Sequence, residues 1–184
     1  MIEIKLLAKL NNEDLKQVIT GYASPGKYVV TYSDSPTQTT FNLEFRMLEK
    51  PHVGRYHHLD DETLSRYREA LKHGYSFGAF DQGSLVGIVL AEPREWNKSL
   101  WVWEFHVREA LRGSGIGRQL MEAAAQKAKA AGLRAIVCET QNTNATAVNV
   151  YRRLGFAVEA VDISYYSNND YPDGDVAVFM KWRL

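Results

Sequence analysis

Apolar and polar residues alternate over much of the first 107 positions, with the period of two that strands with one buried face show. This alternation predicts strands over 27–33, 39–48, 75–81, 84–92 and 100–107. Asp, Ser and Pro residues between the first two strands are turn formers, and Pro51 is expected to end the second strand. Asp81-Gln82-Gly83 predicts a hairpin turn between the next pair.

Helical spacing predicts four helices. A polar helix is expected at about 11–22, and Asp60-Asp61-Glu62 is expected to open a second one that runs to Lys72. The last two are expected over 114–131, with Gly132 at its end, and over about 144–154, closed by Gly155. Between and after them, strands are predicted over 134–140, 156–166 and 175–183.

The alternation of these elements predicts an α/β chain in which a mixed sheet has helices on both faces. A length of 184 residues fits one domain, which we expect to span residues 1–184. A domain of this size buries roughly 70% of the surface of its unfolded chain, enough for a hydrophobic core. With 45% hydrophobic and 24% charged residues, the composition is that of a folded protein.

Charge and cysteine content narrow the classes of function. The chain has 22 basic and 22 acidic residues, so no net charge attracts it to nucleic acid or to a membrane surface. Cys138 is the single cysteine, which precludes an internal disulfide and favours a reducing compartment. The first residues turn polar too early for a signal peptide, and no apolar run has the length of a membrane span. We therefore expect a cytoplasmic protein.

A glycine-rich segment precedes the helix at 114–131. Glycines at 113, 115 and 117 remove the Cβ atoms that would block the approach of a ligand to the backbone. The first turn of the following helix offers N–H groups and the positive end of its dipole, which together favour an anion. The spacing departs from the dinucleotide fingerprint G-x-G-x-x-G, and the P-loop lysine is missing. The pattern therefore predicts a phosphate-binding loop that is neither a dinucleotide fingerprint nor a P-loop.

These residues resemble the acyl-CoA-binding motif [RQ]-x-x-G-x-[GA] of the GNAT N-acetyltransferase superfamily, with Arg112, Gly115 and Gly117 at its defined positions. A second family motif, N-x-x-A-x-x-x-Y-x-x-x-G-F, is similar to the segment 144–156. The resemblance implies a mixed, mostly antiparallel central sheet and a transfer of acetyl from acetyl-CoA to an amine. It implies no metal cofactor.

The resemblance also assigns residues to the cofactor. The loop is implied to bind the CoA pyrophosphate, and the strand before it, together with the later helix, to bind the pantetheine arm next to a β-bulge. The cofactor-binding residues implied in this way are Phe105, His106, Val107, Arg112, Gly113, Ser114, Gly115, Ile116, Gly117, Arg118, Asn144 and Ala147. Asn144 is also well placed to cap its helix, which is the simpler interpretation.

Two residues are implied to be catalytic. Tyr151 would protonate the departing thiolate, since a phenol with a pKa of about 10 keeps its proton at neutral pH. Its alternative is ordinary packing on one face of its helix. Glu104 matches a position where relatives place a carboxylate near the amine, and it is the candidate base, with His106 as the alternative. A salt bridge is the competing interpretation of Glu104. His52, His57 and His58 have no cysteine partner and no helical i, i+4 spacing, and they are interpreted as loop or surface residues.

Local charge bears on the acceptor. Residues 108–134 carry a net charge of +4, whereas residues 157–175 carry −5 with several tyrosines. The family resemblance implies that the hairpin of the last two strands forms one wall of the acceptor site, and an acidic, aromatic hairpin would attract a cation. Tyr165 and Asp170 of this hairpin, together with Glu104, are therefore the candidate acceptor contacts. A solvated polar turn is the alternative interpretation of this hairpin.

The segments ETQNTN and GFAVEAVDISYYSN and the final KWRL most resemble the streptothricin acetyltransferase branch. That resemblance implies a small cationic amine as acceptor and a role in antibiotic resistance. The same resemblance implies paired acidic residues in the central strand, but here Trp103 precedes Glu104. This departure favours a cationic amine in general over the antibiotic in particular. A peptide, protein or polyamine amine is the alternative acceptor, and a non-catalytic acyl-CoA sensor is the alternative class. The sequence leaves the oligomeric state open, a homodimer included.

Overall fold

The computed structural model describes residues 1–10, 12–54 and 59–184. The helices in these ranges are α1 (Asn12–Val18), α2 (Asp61–Lys72), α3 (Ile116–Ala130) and α4 (Ala145–Leu154), with a 3₁₀ turn at Glu109–Leu111. The strands are β1 (Ile2–Leu6), β2 (Tyr22–Ser35), β3 (Gln38–Gly54), β4 (Phe77–Asp81), β5 (Ser84–Arg94), β6 (Ser99–Val107), β7 (Ala135–Gln141), β8 (Ala157–Asp162) and β9 (Ala177–Arg183).

Helix ends follow the local sequence signals. The Asp60 carboxylate accepts a hydrogen bond from the Thr63 N–H at 2.8 Å and starts α2 at the predicted place. Gly155, with a φ of 103°, ends α4 in the left-handed conformation that glycine adopts most easily. Helix α1 is shorter than predicted and ends at Val18.

The backbone contacts divide the chain into two compact units. The first consists of residues 1–20, 56–138 and 182–184, and the second of residues 21–55 and 139–181. Strand β7 passes from one unit into the other after Cys138. The two units interleave in sequence, and the single domain 1–184 stays a prediction.

In the first unit the strand order is β1-β4-β5-β6-β7. Neighbours are antiparallel except β6 and β7, which run parallel with Ser99 opposite Ala135. Strand β1 was not predicted, since its five residues alternate too briefly to stand out. It pairs along its whole length with β4. The core of this unit is formed by buried side chains of α1, α2, β5 and adjoining residues, namely Leu7, Leu15, Val18, Ile19, Leu64, Tyr67, Leu71, Leu85, Ile88 and Leu90.

In the second unit the strand order is β7-β9-β8, and β2 and β3 form a separate long hairpin. The prediction that Pro51 ends the second strand was wrong, because β3 continues to Gly54. The ladder is interrupted beside it, where Ser24 pairs with His52 and Gly26 with Met47. Proline cannot donate to a ladder, and Pro51 lies in this irregular stretch where no donor is required.

The predicted fold class is confirmed: the chain is a mixed α/β protein with a large, mostly antiparallel sheet and helices. No helix in the described ranges is long and apolar enough to cross a membrane.

Candidate functional site

The glycine-rich loop lies in the first unit, between the 3₁₀ turn and α3. Gly113 and Gly115 have φ values of 80° and 88°, a region that strains residues with a side chain. A Cβ atom built on either would have no heavy atom within 4 Å, so both glycines face open space. Helix α3 begins directly after Gly115. The backbone of this loop is therefore accessible, and the N-terminus of the helix that follows it favours an anion.

Polar side chains of this loop hold its conformation. The Arg112 Nε donates to the Val107 carbonyl oxygen at 3.2 Å, and the Ser114 hydroxyl donates to the Leu111 carbonyl oxygen at 2.6 Å. Both side chains remain exposed. They therefore shape the loop while leaving cationic and polar groups at its surface.

The remaining predicted loop residues differ in exposure. Arg118 is exposed and lies 3.6 Å from Glu122 on the next turn of α3. Ile116, by contrast, is only 2% exposed and belongs to the core of the first unit. Any contact of Ile116 with a cofactor would therefore have to come from its backbone rather than its side chain.

Gly117 has a packing role. A Cβ atom at this position would lie 3.0 Å from the Phe105 ring and 3.7 Å from a Val107 methyl group. Glycine thus allows the first turn of α3 to approach β6 closely. Phe105 and Val107, both predicted to bind the cofactor, thus pack against the first turn of α3.

Strand β6 carries a β-bulge. Leu90 of β5 pairs with Glu104, whereas the next residue, Ala91, pairs with Val102, so Trp103 is the extra residue. Such a bulge interrupts the ladder and turns the side chains that follow. The resemblance implied a bulge in this strand, and it lies directly before Glu104.

Glu104 is held between two side chains. Its Oε1 accepts a hydrogen bond from the Tyr67 hydroxyl of α2, and its Oε2 lies 2.5 Å from the His106 Nε2. The side chains of Glu104 and His106 are 18% and 10% exposed, and Tyr67 is 4% exposed. Burial raises the pKa of Tyr67, and the charge of Glu104 and the hydrogen bond to it act in the same direction. The Tyr67 hydroxyl therefore keeps its proton and donates it in the hydrogen bond to the Glu104 carboxylate.

Sequence reasoning missed Tyr67. Its position on α2 fits the buried stripe that includes Leu64 and Leu71, and that pattern predicts packing alone. A buried tyrosine usually finds a partner for its hydroxyl, but the spacing along the chain does not reveal which one. The 37-residue separation between Tyr67 and Glu104 is bridged only by the fold.

In the second unit, Asn144 caps α4. Its Oδ1 accepts a hydrogen bond from the Ala147 N–H at 3.0 Å, and it is 3% exposed. The simpler of the two interpretations of Asn144 is thus confirmed. A contact of Asn144 or Ala147 with pantetheine stays a prediction.

Tyr151 lies on the buried face of α4. It is 8% exposed, and its ring centroid is 5.3 Å from that of Phe156. Val148 is fully buried on the same face. Packing therefore accounts for the ring, and a role for the hydroxyl as an acid stays a prediction.

The loop between β8 and β9 holds the two other candidate acceptor contacts. Tyr165 is 45% exposed, with its ring edge-on to Phe179 at 5.2 Å. Asp170 is only 4% exposed and accepts from the Tyr166 N–H at 2.7 Å and the Ser167 hydroxyl at 2.6 Å. Burial acts to raise the pKa of Asp170, but these hydrogen bonds outweigh it and lower the pKa. Asp170 holds the loop together, so Tyr165 is the better exposed of the two.

Glu139 at the end of β7 was not singled out in the sequence. It accepts a hydrogen bond from the Tyr166 hydroxyl. Burial is the main cause that raises the pKa of Glu139, and the nearby charge of Asp175 adds to it. Asp175 in turn accepts from the Thr143 hydroxyl at 2.6 Å. The second unit thus places two carboxylates near the exposed tyrosine pair of this loop.

The predicted surface histidines are described only in part. His57 and His58 lie outside the described residues. His52 is on β3 with its ring 5.8 Å from that of Tyr22. Within residues 1–10, 12–54 and 59–184, no three His, Cys, Asp or Glu side chains group together as metal ligands.

Comparison with known proteins gives a consistent family. Residues 40–156 match the acetyltransferase (GNAT) family. The streptothricin acetyltransferase of Streptomyces lavendulae is 36% identical over 99 residues, which are 54% of this chain and 52% of that protein. This chain thus spans about half the length of that relative.

Solved structures cover the chain more fully. A nourseothricin acetyltransferase superposes with a TM-score of 0.74 and 25% identity, over 99% of this chain and 98% of that one. A Bacillus anthracis protein in complex with acetyl coenzyme A superposes with a TM-score of 0.75 over the full length of both chains. At 20% identity, the second likeness is evidence of the fold alone. Together with the family match over residues 40–156, the bulged strand and the loop at the start of α3 lead to one conclusion: this chain belongs to the acetyltransferase (GNAT) family.

Proposed function

We propose that this protein transfers acetyl from acetyl-CoA to a primary amine of a small cationic acceptor, with a streptothricin-type antibiotic as the best candidate. The observation that carries the proposal is Glu104, a carboxylate held by Tyr67 and His106 on the strand that leads into the glycine loop. The family match and the similarity to streptothricin acetyltransferases support it.

The glycine loop fits the cofactor. Gly113 and Gly115 face open space that a Cβ atom would fill, and the exposed Arg112 and Arg118 are cations suited to a pyrophosphate. When bound, acetyl-CoA supplies an acetyl thioester as the group donor. The residues from 108 to 134, with a net charge of +4, provide a favourable field for its phosphates.

Glu104 is the proposed proton acceptor. An alkylamine with a pKa near that of lysine is neutral in only about one molecule in a few thousand at pH 7, so its proton must be removed before attack. Each oxygen of Glu104 accepts one hydrogen bond, and a carboxylate has about four lone-pair sites, so further acceptor capacity remains. His106, which contacts the same carboxylate, is the alternative proton acceptor.

Tyr151 is the proposed proton donor to the leaving sulfur. A phenol retains its proton at neutral pH, whereas a thiol of the CoA type has a pKa of about 8.5 and leaves as a thiolate that needs a proton. Burial on α4 fixes the ring, so the hydroxyl would act from one position. The role of Tyr151 as an acid is part of the proposal.

The acceptor is proposed to be a cation because of the second unit. Its segment 157–175 has five acidic residues and no basic one. Glu139 adds a further carboxylate next to this segment, since it accepts a hydrogen bond from the Tyr166 hydroxyl, and Tyr165 offers an exposed aromatic face. Carboxylates and aromatic rings both stabilise an ammonium group.

The test measures thiol release from acetyl-CoA with streptothricin, polyamines, aminoglycosides and lysine-terminated peptides as acceptors. We expect turnover on streptothricin that exceeds turnover on the peptides. Faster turnover on peptides would reject the acceptor and keep the chemistry. Binding of acetyl-CoA without turnover on any amine would reject the enzyme in favour of a sensor.

Two variants separate the catalytic roles from packing. Glu104→Gln is expected to lower kcat by about 10²-fold or more with little change in the KM for acetyl-CoA. Its control is Glu69→Gln, an exposed residue on α2 that should leave kcat unchanged. Tyr151→Phe is expected to lower kcat similarly, with Tyr32→Phe on β2 as its control. Unchanged kcat in Tyr151→Phe would eliminate its role as the acid.

A further inference from the structure

Strand β3 exposes an unusual number of apolar side chains. Phe41, Phe45 and Met47 are 42%, 42% and 69% exposed, and with Leu43 they occupy alternate positions of the strand. Alternate residues share one face of a strand, so these four side chains form an apolar row. Exposed apolar rows of this kind mark interaction surfaces.

The two edges of the hairpin differ. On the β2 side, the Tyr28 N–H donates to the Asn142 carbonyl oxygen at 2.9 Å, and the Asn142 side chain returns a bond to the Tyr28 carbonyl oxygen at 2.8 Å. The Tyr32 N–H donates to the Tyr171 hydroxyl at 3.3 Å. The outer edge of β3 pairs with no strand in the described part of the chain. The backbone groups of a long strand are therefore left available on one side.

The apolar face of the hairpin is likewise covered on its β2 side and exposed on its β3 side. Its β2 half is covered by α4, where Arg152 lies over the Tyr28 ring at 5.1 Å and Tyr28 is 4% exposed. The neighbouring Phe45 of β3 contacts the Tyr28 ring at 5.7 Å and yet stays 42% exposed. The exposed half of the face thus coincides with the unpaired edge. A strand added there would pair with the backbone and place its own side chains beside the exposed ones.

We propose that β3 pairs antiparallel with β3 of a second copy of this chain, with the two-fold axis at Phe45. In this register Phe45 faces Phe45, and Leu43 of each copy faces Met47 of the other. Glu44 of each copy faces Arg46 of the other on the opposite side of the sheet. An isologous interface requires such self-complementarity, because every contact occurs twice.

Charge complementarity makes a second copy the occupant. Glu44 and Arg46 are 56% and 60% exposed, and they flank the proposed axis symmetrically, as a self-pairing strand requires. Within one chain they form a 2.8 Å ion pair on the surface. In the dimer each charge gains an opposite charge across the strands, where direct cross-strand pairs stabilise a sheet.

The first test is a charge swap read by sedimentation equilibrium. We expect the wild-type protein to have about twice the 20.9 kDa mass of the chain. In the single variants Glu44→Arg and Arg46→Glu, positions 44 and 46 of opposite copies carry like charges, and this occurs at both symmetry-related pairs. Each variant should raise the Kd of the dimer at least tenfold. The double variant restores opposite charges and should restore the dimer.

A matched control comes from α2. Glu69 and Lys72 form an exposed ion pair at 2.6 Å, and reversal of either charge should leave the mass unchanged. A monomeric wild type at about 100 µM would overturn the proposal. So would single reversals that keep the doubled mass, or a double variant that stays monomeric while it remains folded.

A cysteine at the axis tests the register. The single native cysteine, Cys138, is 1% exposed and should not cross-link. Residues that face each other across antiparallel strands have Cα atoms about 4.5–5.5 Å apart, within the range of a disulfide. Phe45→Cys should therefore cross-link to its own copy on oxidation, whereas Phe41→Cys, eight residues from its equivalent across the pair, should not. Cross-linking at Phe41 and not at Phe45 would overturn this register.

Discussion

Removal of the Tyr67 hydroxyl tests whether α2 positions the candidate base. Tyr67→Phe keeps the ring in the core and deletes the donor to Glu104 Oε1. His106 stays 2.5 Å from the other carboxylate oxygen, so one of two supports is lost. The expected result is a protein that folds but holds Glu104 less firmly.

The stability effect follows from burial. A hydrogen bond to a charged group contributes roughly 1.5–3 kcal/mol. The Glu104 side chain is 18% exposed, so water can replace part of the lost bond, and we expect the lower value of about 1.5 kcal/mol. For a chain of this length, 1 kcal/mol changes Tm by about 2–4 °C, so Tm should fall by roughly 3–6 °C.

The pH dependence has a definite sign. Burial, followed by the charge of Glu104, raises the pKa of Tyr67 above its usual 10.0, so the folded state favours the protonated phenol. This contribution is fully present below pH 10 and is lost as the pH rises and the unfolded phenol ionises. The variant lacks it, so the Tm difference between the two proteins should be constant up to about pH 9 and shrink above pH 10.

The assay combines thermal unfolding between pH 6 and 11 with kinetics on the best amine acceptor. If Tyr67 positions the base, kcat should fall about tenfold while the KM for acetyl-CoA stays constant. Tyr75→Phe, just beyond the end of α2, is the control and should change stability by less than about 0.5 kcal/mol. Equal Tm values for Tyr67→Phe and wild type across this pH range would refute the reasoning.

Three further changes test other parts of the two units. Gly115→Ala should raise the KM for acetyl-CoA. Its control is Gly132→Ala, which has a φ of 74° and equally open space and should lower stability by a similar amount without changing this KM. Equal KM values for the two variants would contradict the loop's role. Asn144→Ala should lower stability by about 1 kcal/mol through loss of the cap, and Asn144→Asp should recover most of it in chemical denaturation. Glu139→Gln should raise Tm at pH 7 more than at pH 4, because burial raises the carboxyl pKa and makes its ionisation costly; the opposite order of the Tm gains would reject this sign.

Local patterns predicted most of the elements because their signals lie within a few residues. The Asp60 cap, the Gly155 stop and the turn at 81–83 each depend on neighbours in the chain. The extension of β3 through Pro51 was not predictable, since the local rule for proline gave way to an irregular stretch that only the pairing with β2 defines. Elements were thus predicted where local and tertiary preferences agree.

The candidate site shows the same division. Alternation along β6 places Glu104 and His106 on one face, so their proximity could be inferred from the strand period. Tyr67 could not be found in this way, because an amphipathic helix reveals which residues are buried and not which polar atom they meet. For Asp170 the sequence showed an acidic residue in a polar loop, and the fold directs its carboxylate to the backbone of that loop.

Charge distribution links the two units to the proposed chemistry. A net charge of zero hides a basic segment at 108–134 and an acidic one at 157–175. Charges act mainly within a Debye length of about 8–10 Å in physiological salt, so a ligand responds to the nearest segment and not to the total. A polyphosphate donor and an ammonium acceptor are opposite in charge and need opposite fields. One chain can favour both only if it separates its charges, and this sequence does so along its length.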